Sequence, residues 1–464
     1  MLRSIALAAL ITMIAGPVHA QDPDLTLVNI NDSGNAVPPG ASLLDVSGNG
    51  RFVLFWSQPS LLPEDTVGQQ LYVHDLETGT VELVSLDTNG NVVDDFVVNP
   101  QGTVGDPTNR RYISDDGRFV LFGTPASNVV TGVDPPPGHV YLYRRARVLQ
   151  PTILVSVNSN DEPPNLPVNQ FTMDPSGVAV MFQTFADNVD PMFPLGPWFL
   201  HRIDAPVGSS VRTRAACRDR TDTPRDCGNP ALSCGGALVT ARINGSHPWI
   251  EGEDLPFGGI YNEIAIGNTI DGNWVRVGNE ADTPFPPGAS NGYSSSNAVI
   301  NCSGNRIAFW TNMELRNGDT ADDDLYVFDL LSRQLWLIER SPGVSLIGPQ
   351  AYRTISMSSS GLQIAFNTDL ALDPADDNTF NDVYAFEMPI NPPSLDFDFR
   401  WVSNNQGVAP ISLFTAQPVV GGNGVVGFRT SATNAPWSPD AGTLGAVYAR
   451  SNLPFEYITV DGFE

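Results

Sequence analysis

A glycine turn feeding an apolar strand recurs along the chain with a period of about 62 residues, and a repeat this long restricts the fold more than any other feature. Ser47-Gly48-Asn49-Gly50-Arg51 precedes Phe52-Val53-Leu54-Phe55, and Ser114-Asp115-Asp116-Gly117-Arg118 precedes Phe119-Val120-Leu121-Phe122. Looser copies are centred on Gly177, Gly236, Asn305, Gly361 and Gly424, making seven in all. Each copy continues in one order. A loop of a dozen or more residues leads to an aromatic strand, such as Leu71 to Asp75 or Leu325 to Asp329, and then to an alternating strand, such as Val81 to Ser85 or Leu335 to Ile338. With the strand that enters the turn, the unit has four antiparallel strands. One such unit cannot bury both faces, so the units must stack on one another.

Composition agrees, because 42 Gly and 39 Pro in 464 residues leave little room for long helices. The expected fold is all-β: a single β-propeller of about seven four-stranded antiparallel blades spanning residues 21–464. A β-sandwich, or tandem sandwiches, is the competing architecture, and the fixed order of turn, aromatic strand and alternating strand argues against it. Leu25 to Ile30 lies ahead of the first unit yet reads as a fourth strand that could join the last unit and remove an exposed edge. Phe455 to Val460 reads the same way, and the sequence does not choose between them.

The Ser-x-x-Gly-Arg-Phe-x-x-Phe and Leu-Tyr-Val-x-Asp-Leu segments resemble the WD-like repeats of TolB-type periplasmic propellers, which also recur in the propeller domains of prolyl-oligopeptidase-like enzymes. The resemblance spans nearly all of residues 21–464. It is strongest in units one, two, five and six, while units three, four and seven depart from the pattern. It implies a fold and says little of activity, since propellers host many functions.

Residues 1–20 read as a secretory signal peptide. Arg3 precedes an apolar stretch from Ile5 to Ala15, and Val18-His19-Ala20 supplies small residues at the −3 and −1 positions. The stretch is short of the roughly 20 residues of a membrane span. The expected location is therefore exported, periplasmic or secreted, where disulfides form. Of the four cysteines, Cys217 and Cys227 bracket the polar loop Arg218 to Asp226 and are the favoured pair, which leaves Cys234 with Cys302. The intervals between the four match no compact zinc-ligand pattern.

The chain carries 51 acidic and 24 basic residues, and every basic residue is Arg. A charge of −27 argues against nucleic acid or an anionic membrane as partner. The absence of Lys excludes a Walker lysine, a Schiff-base lysine and a Ser-Lys dyad. Gly288-Ala289-Ser290-Asn291-Gly292 fits G-x-S-x-G, but Pro286-Pro287 precede it and no His follows His247, so it reads as a loop. His74 and His201 fall within aromatic strands and read as structural imidazoles. Asp319 to Asp324 and Asp373 to Asp382 offer hard oxygen ligands for Ca²⁺, although neither fits an EF-hand loop. A solvated acidic loop is the simpler reading of both. No catalytic, cofactor-binding or metal-ligating residue is assigned.

In a four-stranded blade the turns joining strands one–two and three–four share one face, and the remaining connections share the other. The first class is short, as at Ser47 to Gly50 and Glu77 to Gly79. The second is long, as at Ser57 to Gln70, Asp87 to Asn109, Thr124 to Gly138 and Gly278 to Ser296. Rigid scaffolds concentrate binding in such loops. The expectation is an exported, non-catalytic module that binds a protein or envelope component through its long-loop face. Alternatives are an enzyme using the central channel on glycans or phosphorylated substrates, and a calcium-stabilised surface protein.

Overall fold

The computed structural model describes residues 24–35, 40–100, 110–148, 151–190, 198–225, 227–244, 262–277, 295–312, 315, 324–339, 346, 354–388, 397–405, 409–410, 415–430, 446–451 and 453. It is a seven-bladed β-propeller of antiparallel sheets, and its only described helical element is the three-residue 3₁₀ turn Cys234–Gly236. Blade 1 runs through Ala41–Val46, Phe52–Ser57, Gln70–Asp75 and Thr80–Leu83. Blades 3 to 6 repeat this consecutive order of four strands. Blade 7 takes Thr415–Val420, Val426–Thr430 and Ala446–Arg450 from the chain's end and Leu25–Leu27 from its start. Leu25 pairs with Arg450 and Leu27 with Tyr448, so of the two candidate closing strands Leu25–Leu27 fills the outer position. Phe455 to Val460 lies outside the described residues, as do residues 1–20 and the Gly288 to Gly292 motif.

The repeat has a packing basis. In six blades an aromatic of the second strand faces one of the third directly across the sheet: Phe55–Tyr72, Phe122–Tyr143, Phe182–Phe199, Phe309–Tyr326, Phe366–Tyr384 and Phe428–Tyr448. Such pairs add about 0.5–1.5 kcal/mol each beyond area burial. In blade 4 the equivalent pair is Ala241–Ala265. There Trp274 lies over Gly267, where a Cβ would sit 2.3 Å from the indole, and the Cys217–Cys227 disulfide joins the same apolar cluster. The blade with the most degenerate turn thus fills its core by other means.

The turn glycines are required twice over. Gly50, Gly117, Gly177, Gly236, Gly304, Gly361 and Gly424 all have φ between 62° and 75°, a region that L side chains avoid. The fifth copy is therefore centred on Gly304, one residue before Asn305; the Asn305-Arg306 pair had displaced the register. A Cβ on Gly117 would also meet the Phe52 ring at 2.0 Å, because each turn rests on the blade before it.

Blade 2 departs from the four-strand plan. It pairs Phe119–Thr124, Tyr141–Ala146 and Ile153–Leu154, and its inner position is reduced to a single bridge between Ile113 and Val120. A bulge between Leu43 and Asp45 lets the Asp45 carboxylate reach from blade 1 and accept hydrogen bonds from the N–H groups of Tyr112 (2.8 Å) and Ile113 (3.1 Å). That side chain substitutes for the missing ladder partners.

Candidate functional site

The two faces differ in kind. On the short-turn face the inner turns converge on the propeller axis and hydrogen-bond to one another in sequence. Asn49 N–H donates to Asp115 O, Asp115 N–H to Pro175 O, Cys234 N–H to Cys302 O, and Cys302 N–H to Ser359 O. The ring is bridged across its centre, since Ser359 Oγ of blade 6 lies 2.6 Å from Asp115 Oδ1 of blade 2. Arg111 pairs with Asp115 at 3.2 Å and reaches the same Ser359 hydroxyl at 3.1 Å. The Cys234–Cys302 disulfide links blades 4 and 5 in this ring, with Cα atoms 4.6 Å apart. Both expected pairings are therefore present, and no described cysteine is free. The ring plugs the axis on this face.

Arginines brace these turns. Arg147 donates to the carbonyl of Gly117, Arg144 to Gly177, Arg202 to Gly235 and Gly236, and Arg306 to Gly361. Arg147 and Arg144 also lie over the Phe52 and Phe119 rings at 4.1 and 4.2 Å. A planar fork can bond a carbonyl and stack on a ring at once, which an ammonium cannot. This gives the all-arginine composition a structural use.

On the opposite face the loops are held in place by a repeated device that sequence reading overlooked. Thr124-Pro125-Ala126-Ser127-Asn128-Val129 and Thr184-Phe185-Ala186-Asp187-Asn188-Val189 are equivalent stretches, one blade apart. Asn128 accepts from Asp94 N–H (3.0 Å) and donates to Val92 O (3.0 Å); Asn188 accepts from Asn165 N–H (2.9 Å) and donates to Pro163 O (2.9 Å). Thr124 and Thr184 hydroxyls donate to the carbonyls of Phe96 and Pro167. Each incoming connection is thereby pinned to the next blade's loop. The motif Thr-x-Ala-x-Asn-Val is the signal that could have revealed it.

Pinned backbone presents side chains outward. Val67, Phe96, Leu166, Phe185 and Phe380 are exposed on this face, Phe185 by 56%. The exposed apolar residues of the opposite face, Val148, Val207, Val211, Ile270 and Leu331, are aliphatic and are spread over four outer turns, Val207 and Val211 sharing one. Glu64, Asp94, Asp95, Asp134, Asp187 and Asp190 flank the first group, and the segments that carry them contain no arginine.

The remaining sequence candidates have structural settings. His74 is buried, with Nδ1 2.8 Å from Val28 O, so it ties blade 1 to the closing segment. His201 is buried beside Thr213 Oγ1 at 2.8 Å, and burial, aided by Arg212, pushes it down to about 4, so the ring is neutral near pH 7. Asp319 to Asp323 and His247 lie outside the described residues. In the second acidic loop Asp376 accepts from Tyr384 Oη at 2.6 Å and from Asn378 Nδ2 at 2.9 Å. Asp382 accepts from Ser403 Oγ, Trp401 Nε1 and Asn378 Nδ2. Burial, aided by the charge of Asp376, pushes Asp382 up to about 6. These carboxylates are met by Asn378 of the loop and by Tyr384, Trp401 and Ser403 from the same blade. Asp65 of blade 1 likewise accepts from Val67 N–H, Gly68 N–H and Tyr72 Oη.

No protein-family model matches the chain, and no curated protein sequence does. Solved structures share its fold. An oligogalacturonate lyase in complex with manganese is 12% identical, with 92% of this chain and 96% of the lyase aligned at a TM-score of 0.50. An oligogalacturonate lyase from Vibrio parahaemolyticus is 11% identical over 92% of this chain and 98% of its own, at a TM-score of 0.49. A putative TolB from Agrobacterium tumefaciens is 14% identical over 65% of this chain and 81% of its own, at 0.35. What the first of these alignments shows is a common propeller fold and, at 12% identity, nothing further.

Proposed function

We propose that the protein is an exported, non-catalytic propeller that binds a protein or envelope component through its long-loop face. The observation that carries this reading is the asymmetry of the two faces. One is plugged at its axis by hydrogen-bonded turns; the other presents Phe96, Leu166 and Phe185 on backbone already pinned by Asn128 and Asn188. Exposed aromatic side chains on preordered backbone suit a protein partner, because little entropy is lost on binding. Two disulfides favour an oxidising compartment.

The test is retention of an envelope partner by immobilised protein lacking residues 1–20. Phe96→Ser combined with Phe185→Ser should weaken retention by about tenfold or more, a loss typical of central apolar anchors, while Leu331→Ser on the other face leaves it unchanged. Equal retention by both variants would remove the face assignment. The enzyme alternative draws on the fold shared with an oligogalacturonate lyase. Incubation with oligogalacturonate and Mn²⁺ should yield no unsaturated product; steady turnover would replace the binding reading with that one.

A further inference from the structure

The seven inner turns have one property that no linear spacing displays: their second residues meet at the axis. Those residues are Gly48, Asp115, Pro175, Cys234, Cys302, Ser359 and Gly422. Cys234 and Cys302 are 68 residues apart in sequence and adjacent in space. One ligand atom from each of Asp115, Cys234 and Cys302 lies within 4.8 Å of the others. All three residues are half-buried, so the cluster is reachable from the short-turn face. Ser359 Oγ and Arg111 both donate to Oδ1 of Asp115, on one side of the carboxylate, and Oδ2 is the oxygen offered to a cation.

We propose that this axial cluster is a redox-gated metal site, holding a disulfide when oxidised and a thiophilic divalent cation of the Zn²⁺ class when reduced. A dithiol or phosphine reductant passes two electrons to the S–S bond, which breaks, and each sulfur takes up a proton. Cation binding then displaces both thiol protons. Cys234 Sγ, Cys302 Sγ and Asp115 Oδ2 supply three ligands, and water takes the fourth position of a tetrahedral ion. Bonds of about 2.0–2.3 Å place such ligands less than about 4 Å apart. Once the S–S bond is broken the two sulfurs must separate to that spacing, and the Asp115 oxygen, within 4.8 Å of both, must close on it. Charge also balances: two thiolates and a carboxylate carry −3, which the cation and the paired Arg111 offset. Soft sulfur ligands select this class over Ca²⁺ or Mg²⁺.

The experiment titrates Co²⁺, a coloured stand-in for Zn²⁺, into full-length protein kept anaerobic with a phosphine. The reduced protein should bind one Co²⁺ with a near-ultraviolet thiolate-to-metal band, and the oxidised protein should show none. Cys302→Ser should abolish the band, and Asp115→Asn should weaken binding about tenfold or more, as loss of a ligand requires. Alkylation mapping keeps the test decisive if a variant fails to fold. Zn²⁺ should slow the alkylation of half-buried Cys234 and Cys302 of the reduced wild type by N-ethylmaleimide, and leave the rates at the buried Cys217 and Cys227 unchanged. Absence of the band in the reduced protein, an undiminished band in Cys302→Ser, or alkylation of Cys234 and Cys302 that Zn²⁺ does not slow overturns the proposal.

Discussion

Asp45→Asn should make the protein relatively more stable as pH rises, the opposite of what removing a bonded carboxylate ordinarily does. Asp45 is 1% exposed, and burial pushes its carboxyl up to about 6 from 3.8, against the pull of Arg111 and of the N–H groups of Tyr112, Ile113 and Val46. A raised folded-state value means that the folded protein keeps a proton which the unfolded chain has lost between about pH 4 and 6. The associated stability is fully present below pH 4 and disappears as pH passes 6. The shift of roughly two units corresponds to about 3 kcal/mol, since each unit is about 1.4 kcal/mol. Asparagine does not titrate, so the wild type should lose about 3 kcal/mol relative to Asp45→Asn between pH 4 and 7. Guanidinium unfolding followed by tryptophan fluorescence at half-unit pH steps measures this. A wild-type-minus-variant difference that stays constant over the interval would refute the reasoning, and so would one that grows in favour of the wild type.

Other consequences are independent of Asp45. Gly117→Ala should destabilise the fold by more than about 2 kcal/mol, because a strained φ and a clash with Phe52 combine, while Gly79→Ala, with φ 69° but open space around it, should lose only about 1 kcal/mol in thermal or chemical unfolding. Leu25→Asp places a charge in the apolar cluster that closes the ring, and hydrogen exchange should accelerate at Val447–Arg450 before it does elsewhere. EDTA should leave the melting temperature unchanged, since Asn378, Tyr384, Ser403 and Trp401 already satisfy Asp376 and Asp382; a fall reversed by Ca²⁺ would revive the calcium reading.

The blades were legible because their signal is local. A positive-φ glycine and the strand after it lie within ten residues, and the cross-strand aromatic recurs at the next strand. The slip from Gly304 to Asn305 shows where local reading fails, since Asn-Arg imitates Gly-Arg in letters but not in backbone conformation. The reduced inner strand of blade 2 was not legible, because it depends on Asp45, 67 residues upstream of Tyr112. The axial ring was equally hidden. Gly48, Asp115, Pro175, Cys234, Cys302, Ser359 and Gly422 share a position and no chemistry, so only closure of the propeller brings them together. The cysteine pairs were assigned correctly by enclosing one polar loop, yet the place of Cys234–Cys302 on the axis could not be seen from a 68-residue interval.

The central claim is that the face bearing the long loops is the one that meets a partner. Its most direct test places a photo-crosslinking phenylalanine analogue at Phe185 in one protein and at Leu331 in another, positions that are both exposed and lie on opposite faces. Each is irradiated in cells of the native host, and the adducts are compared. The account predicts a single defined protein adduct from position 185 that fades as ionic strength rises, and none from position 331. An adduct from position 331 alone would contradict it.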